Sequence, residues 1–581
     1  MTSPPAYSAN AILKRGHGRF ADVRQMNIAV VTKVSDSLKT MLGPKGMDKL
    51  LVNGLGDFIV THDGLTTLEH MEISNPVTRL LVEVAKSQEE ATGDGTKTVV
   101  VLTGELLRNA GVLLGKKVHP RTIMNGYSKA AVRALETLRQ GASTMAFSDR
   151  GSLKRVAETI IGGRITGSTR EALADLIGSA IISISEERRG RLVFDIDQIS
   201  TRKVAGGRVS ESSIVNGCVI FKEKPSSRMP ERIEHARIAL IGSSLDPLTY
   251  RADQDMKEYT INTPAEYRGV IEGERAFNKA IVGHAQRAGV DALFCRKRIS
   301  EPLVKAFAEA HILAFNLVSD EDLLRLEKAT GAKTVKKLDE LDAKDVGRAG
   351  LVEYRRISGD EMLFVEECSG SKAITVILRG GTQQVVDELE RVFQDAIKGL
   401  SVAVKNEQVV QGGGATEMQI ANALRAYAKS IPDREQLAVE AYGEAFEAIP
   451  MAIATNAGLD KIDSLAELRA GHDRGLKALG VDGIGCQICD VSKAGLYDVF
   501  SVKENAIKVA TETAIMILAI SDLITITDRR AIKQDENADK VERLRLHGDK
   551  IKEAFKTEGE LKQVERLHDD LMERQRHPET L

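Results

Sequence analysis

Residues 91–107 run ATGDGTKTVVVLTGELL, and the fold turns on this stretch. Residues 96–110 are predicted helical, and Gly93-Asp94-Gly95 sets a glycine-rich turn directly before them. Such a turn presents the first backbone N–H groups of a helix without intrahelical partners, at the positive end of its dipole. Both features attract phosphate. Asp94 lies in the same turn, where a carboxylate can hold the Mg²⁺ that accompanies a nucleotide. Taken alone, the stretch is also an ordinary Asp-Gly turn ahead of a helix. It is not a Walker sequence: the nearest approach, GVLLGKK at 111–117, has the wrong spacing and no Ser or Thr after the lysine.

Three more glycine turns flank predicted elements. Apolar Ile28, Val31, Val34, Leu38 and Met41 recur at helical spacing and stop at Gly43-Pro44, within LGPKG at 42–46. THDG at 61–64 follows a short predicted strand pair, 50–52 and 58–60, and projects Asp63 from a turn. QGGGA at 411–415 precedes another helix and offers bare backbone to a nucleotide. Singly, each is more simply a turn glycine.

At 581 residues the chain calls for two to four domains. With 81 basic and 83 acidic residues, net charge −2, it lacks the basic excess of a nucleic-acid binder. It has no Trp and 4% aromatics, which leaves few stacking platforms. The first ten residues hold no apolar h-region, and apolar runs such as 514–520 fall short of a bilayer span. Five scattered cysteines, an odd number, suit reduced thiols in a cytoplasm. Cys486 and Cys489 form a CxxC with no second ligand pair nearby, so ordinary thiols are favoured over zinc.

Along the chain the pattern runs helical, mixed, α/β, mixed, helical, as when one domain is inserted into another. Short apolar runs at 215–221, 236–241, 292–295 and 312–316 alternate with helices, and a long polar stretch at 247–278 interrupts them. A strand at 373–378 leads into a helix whose apolar stripe is predicted as Val385, Leu389, Val392, Phe393 and Ala396, with Asp395 off it. Residues 528–581 are densely charged, either a solvated tail or a helical hairpin.

LGPKGMDKLLV, THDG, GDGTKT, QGGGATE and AIKVATETAIMILAISDLI together resemble the signature set of group II chaperonins, the thermosome and TCP-1 ring family, over about residues 11–527. The resemblance implies a multidomain α/β fold. Its parts are a helical equatorial ATPase domain (1–147 and 404–527), a small α/β intermediate domain (148–214 and 368–403) and an α/β apical domain (215–367). The apical domain would carry a helical lid protrusion at about 246–278, with 528–581 as an extension. It implies ATP/ADP and Mg²⁺ as ligands, and ATP-driven folding of non-native polypeptides in an eight- or nine-membered double ring of copies or paralogues, without nucleic acid or membrane. Gly43, Pro44, Gly95, Thr96, Lys97, Thr98 and Gly413 would contact nucleotide and Asp94 would bind Mg²⁺. Asp63 matches an aspartate near the γ-phosphate, and Asp395 one that orients the attacking water. Arg164 stands where relatives have a nucleotide-sensing lysine, and Asp498 is the counterpart of an acidic residue near the ribose. Lys97 replaces a small hydroxyl residue common in the family, His62 replaces an Asn, and the loop at 486–497 is short. Those departures keep open a second expectation, a structural or regulatory ring subunit with weak hydrolysis. A metabolic kinase, the third, finds no Walker or kinase motif.

Overall fold

The computed structural model describes residues 12–15, 20–52, 58–71, 75–145, 147, 150–162, 165, 167–188, 191–247, 263–368, 373–522 and 524–527. Two compact units divide the chain. In the smaller, residues 1–26 and 520–581, strands Ile12–Arg15 and Ile524–Thr527 pair antiparallel. The larger, residues 27–519, holds the features that follow, α1 from residue 27 onward.

Its helices are, in chain order, α1 (Phe20–Lys39), α2 (Gly64–His70), α3 (Pro76–Thr92), α4 (Thr96–Gly115), α5 (Pro120–Gly141), α6 (Arg150–Ile161), α7 (Ser168–Ile184), α8 (Pro264–Arg287), α9 (Glu301–Glu309), α10 (Asp320–Thr330), α11 (Gln383–Asn406), α12 (Ala415–Ala428), α13 (Glu435–Asn456), α14 (Lys461–Asp473) and α15 (Phe500–Ala519). They serve three main apolar cores. The first joins residues from Ile28 to Leu138 with others from Val410 to Leu518, so α4 is packed by both α13 and α15. Val99, Val100, Val101, Leu106 and Leu107 are fully buried there. At about 1.5–3 kcal/mol for each buried aliphatic side chain, α4 is a main contributor to that core. It is long and apolar enough to cross a membrane by length and composition alone, but most of it is enclosed by its neighbours.

The second core belongs to a sheet ordered Leu313–Phe315, Ala292–Cys295, Arg232–Ile241, Gly347–Ile357, Asp360–Cys368, Gly217–Phe221. The first three strands in this order are parallel and the later pairs antiparallel, and a seventh strand, Thr334–Val335, pairs parallel with Arg232–Ile241 off this path. Helices α8, α9 and α10 contribute to the same core. Thr263 caps α8, accepting from Glu266 N at 3.2 Å, and Pro264 opens it. The polar stretch predicted at 247–278 is therefore helical from residue 264, while residues 248–262 lie outside the described set.

The third core packs α6, α7 and α11 against Ile374–Gly380, which pairs parallel with Ile199–Ala205 and antiparallel with Ser213–Val215. One detail of α11 differs from expectation. Val386, not Val385, faces the core: Val386 is fully buried and Val385 is 45% exposed. Both flank the start of the 3.6-residue stripe and both lie against Gly380, where a Cβ would come within 2.8 Å of Val386 Cγ2 and 3.0 Å of Val385 Cγ1; burial distinguishes them. The charged tail 528–581 lies outside the described residues, as do Arg164 and Ser148.

Candidate active site

The α3–α4 turn is built by complementary caps. Asn75 and Pro76 open α3, and Gly93 closes it at φ +68°, its N–H donating to Glu89 O at 2.8 Å. Gly95, at φ +86°, is the N-cap of α4; a Cβ there would lie 2.7 Å from Val502 Cγ1 and 2.8 Å from Gln88 Nε2. Gln88 is wholly buried and ties the turn down. Its amide donates to Thr92 Oγ1 and Asp94 O at 2.9 Å each and to Val502 O at 3.2 Å, and accepts from Asn505 Nδ2 at 2.8 Å. Asp94 Oδ1 accepts the Gly95 N–H at 2.6 Å.

This turn edges a cavity of about 420 Å³. Gly43, Pro44, Asp94, Lys97, Thr98, Gly413 and Asp498 line it; Gly95 and Thr96 complete the turn itself. Gly43 (φ +80°) and Gly413 (φ +58°) hold left-handed backbone that favours glycine. Gly413 also pairs with the hairpin Leu479–Asp482/Gln487–Asp490, Val481 N donating to its carbonyl at 2.8 Å. That hairpin brings Asp482 and Gly483 to the wall. Asp498 bonds Lys503 Nζ at 2.9 Å, and Glu417 holds the same ammonium. Burial opposes the charge on Lys503, but the two carboxylates together hold its pKa well above the ordinary lysine value.

The opposite side comes from the third core. Arg155, Glu158 and Thr159 of α6 face the cavity, with Arg170 of α7. Helix α11 meets the turn where space is least: a Cβ on Gly93 would sit 2.4 Å from Lys398 Cβ, and one on Gly399 would sit 3.9 Å from Asp94 Cβ. Asp63 caps α2, accepting from Thr66 N at 2.6 Å, and is buried. Glu89 of α3 feels both the Asp395 and the Asp63 carboxylates. Burial first, then the Asp395 carboxylate, push the Glu89 pKa up to about 8; Lys398, 3.5 Å away, opposes this and Asp63 adds to it. Glu89 and Asp395 also share a hydrogen bond. Carboxylates from two cores thus gather beside the turn that carries Asp94.

Residues 34–527 match the model of the TCP-1/cpn60 chaperonin family. The chain belongs to that family. It is 40% identical over 515 residues to a thermosome subunit of Methanopyrus kandleri, covering 88% of this chain and 94% of the relative. Against the thermosome subunit of Methanocaldococcus jannaschii it is 40% identical over 525 residues, 90% and 95% of the two chains. Against thermosome subunit beta of Archaeoglobus fulgidus the figures are 40% over 515 residues, 88% and 94%. It is a group II chaperonin subunit, a molecular chaperone.

Chaperonin residues that sequence inspection missed are Gln88, Glu89, Arg155, Arg170 and Asp482. Gln88 and Glu89 meet residues far away in the chain, Val502 and Lys398, so no local spacing marks them. Among the described residues no three His, Cys, Asp or Glu side chains converge as a metal cage. The donor set on the wall fits Mg²⁺, which keeps several waters and takes one or two carboxylates with substrate phosphates, and does not fit zinc.

Proposed function

We propose that this subunit binds ATP in the cleft and hydrolyses it to ADP and phosphate, driving the enclosure and folding of non-native polypeptides in a cytoplasmic double ring. The carrying observation is the glycine-lined cavity edged by Asp94, with Glu89, hydrogen-bonded to Asp395 and within the field of Asp63, on the helix that leads into the Asp94 turn. In this proposal the first core is the equatorial ATPase domain, the third the intermediate domain and the second the apical, substrate-binding domain. Eight or nine copies or paralogues form each ring; the relatives named thermosome alpha and beta support the paralogue alternative.

Phosphoryl transfer to water asks for charge neutralisation and alignment more than for covalent help. The N-terminus of α4, with Gly95, Thr96 and Thr98, receives phosphate oxygens; Gly43, Pro44 and Gly413 let the nucleotide approach bare backbone. Asp94 would hold Mg²⁺, which when bound would neutralise charge on the phosphates. Asp63 and Asp395 orient the water, and Asp395 arrives on α11, so hydrolysis waits for that helix to seat against Gly93. Asp498, held by Lys503, faces the ribose.

Lys97 on the cavity wall favours a second possibility, a ring subunit that retains nucleotide and turns it over slowly. Steady-state Mg-ATP turnover of the wild type and Asp395→Ala, alongside recovery of a denatured client enzyme, separates the two. Turnover in the wild type that the substitution abolishes supports hydrolysis; equal, near-background rates support the regulatory subunit.

A further inference from the structure

Position 97 is where this chain puts a cation into the phosphate turn. The Lys97 ammonium donates to two main-chain carbonyls, Met41 O at 3.2 Å and His62 O at 3.3 Å. These oxygens come from separate loops: Met41 is two residues before Gly43, and His62 immediately precedes Asp63. The side chain reaches them by crossing Gly64, where a Cβ would stand 2.7 Å from Lys97 Cγ, so glycine is what leaves the path open. Lys97 lines the same cavity as Asp94 and Thr98.

Convergent backbone carbonyls next to an anion site are ligands for a weakly hydrated monovalent cation, whose water shell they replace. An ammonium is such an ion on a four-carbon stem. We infer that Lys97 is a tethered monovalent cation: it holds the Gly43 and Asp63 loops together through their carbonyls and supplies fixed positive charge to the phosphates, so nucleotide turnover needs no dissolved potassium. A short hydroxyl at 97 would not reach Met41 O and His62 O, and those oxygens would face the cavity as a site for a potassium ion. The inference rests on the cleft being an ATPase site, and its test has one arm that does not.

Full-length wild type and Lys97→Thr are compared for Mg-ATP turnover in potassium chloride and in N-methyl-D-glucamine chloride at equal ionic strength. The wild type is expected to change by less than about twofold between salts, while the threonine variant loses roughly tenfold or more without potassium and recovers with it. The nucleotide-free arm follows melting in the two salts: potassium raises the Tm of Lys97→Thr by a few degrees and leaves the wild type unmoved. A wild type whose turnover falls tenfold without potassium overturns the tethered cation, as does a folded Lys97→Thr indifferent to potassium in turnover and melting. If that variant does not fold, the wild-type comparison decides alone. Absent wild-type turnover in either salt instead counts against the ATPase proposal, and the melting arm then decides for or against the cation.

Discussion

The two sides of the cleft are made of different material. On the first-core side glycine turns bring main chain to the cleft, among side chains such as Asp94, Lys97 and Asp498. A Cβ on Gly413 would lie 2.5 Å from Val481 O, and one on Gly414 would lie 2.4 Å from Pro450 Cβ. On the other side, α6, α7 and α11 present side chains, most of them charged, and touch the first core through a few contacts: Gly93 with Lys398, Thr61 with Glu388 at 3.4 Å, and Glu89 with Lys398 and Asp395. A wall of main chain fixed inside one core has its shape before any ligand comes. A wall of side chains carried on another set of helices can shift relative to it, although Val502 of α15 ties the third core to the first. Binding and hydrolysis should therefore respond to different substitutions.

The largest effect is expected from Asp395→Ala. It removes the charged wall's contribution to water alignment, and turnover should fall by about 10²-fold or more while nucleotide affinity stays within a few-fold. Turnover assays paired with titration calorimetry check the split; a parallel loss of affinity would erase the distinction between the walls. Gly414→Ala attacks the other wall. Its φ of +77° and its approach to Pro450 combine strain and overpacking, for a stability loss of about 1–3 kcal/mol and much weaker nucleotide binding, read by denaturant melts and titration.

Gly93→Ala tests the seam. The added methyl meets Lys398 Cβ at 2.4 Å, pushing α11 away; turnover should drop about tenfold with smaller change in affinity. The smallest effect concerns Glu89. Its pKa is raised on folding from an ordinary carboxyl value to about 8, so the folded state binds the proton more tightly. The cost of ionising it is absent below about pH 4.5, grows as pH rises, and is complete above about pH 8. Glu89→Gln, which cannot ionise, should gain on the wild type by a few degrees of Tm between pH 5 and 9. A melting difference that stays flat across that range means Glu89 is not held protonated at the seam.

Much of the first wall was legible in the sequence because its chemistry is local: glycines at 43, 95 and 413 announce turns, and Asp94 follows Gly93 directly. The second wall was legible only at Asp395, which its place off an apolar stripe marked as outward-facing. Glu89 and Gln88 look like unremarkable surface residues of α3 until α11 and Val502 come against them. The choice of Val386 over Val385 likewise waits on how α11 packs, since periodicity alone admits either. The hairpin at Leu479–Asp482 and Gln487–Asp490 carries no strong alternation, and its role emerges only when Val481 pairs with Gly413.

The first core has a consequence for the birth of the protein. Its early half ends at Leu138 and its late half begins at Val410 and runs to Leu518, with the other cores made in between. At about 5–20 residues per second of synthesis, helices α1–α5 wait on the order of a minute for the partners that cover them. Throughout that delay a nascent chain displays the kind of uncovered apolar surface that invites aggregation and that chaperones shelter.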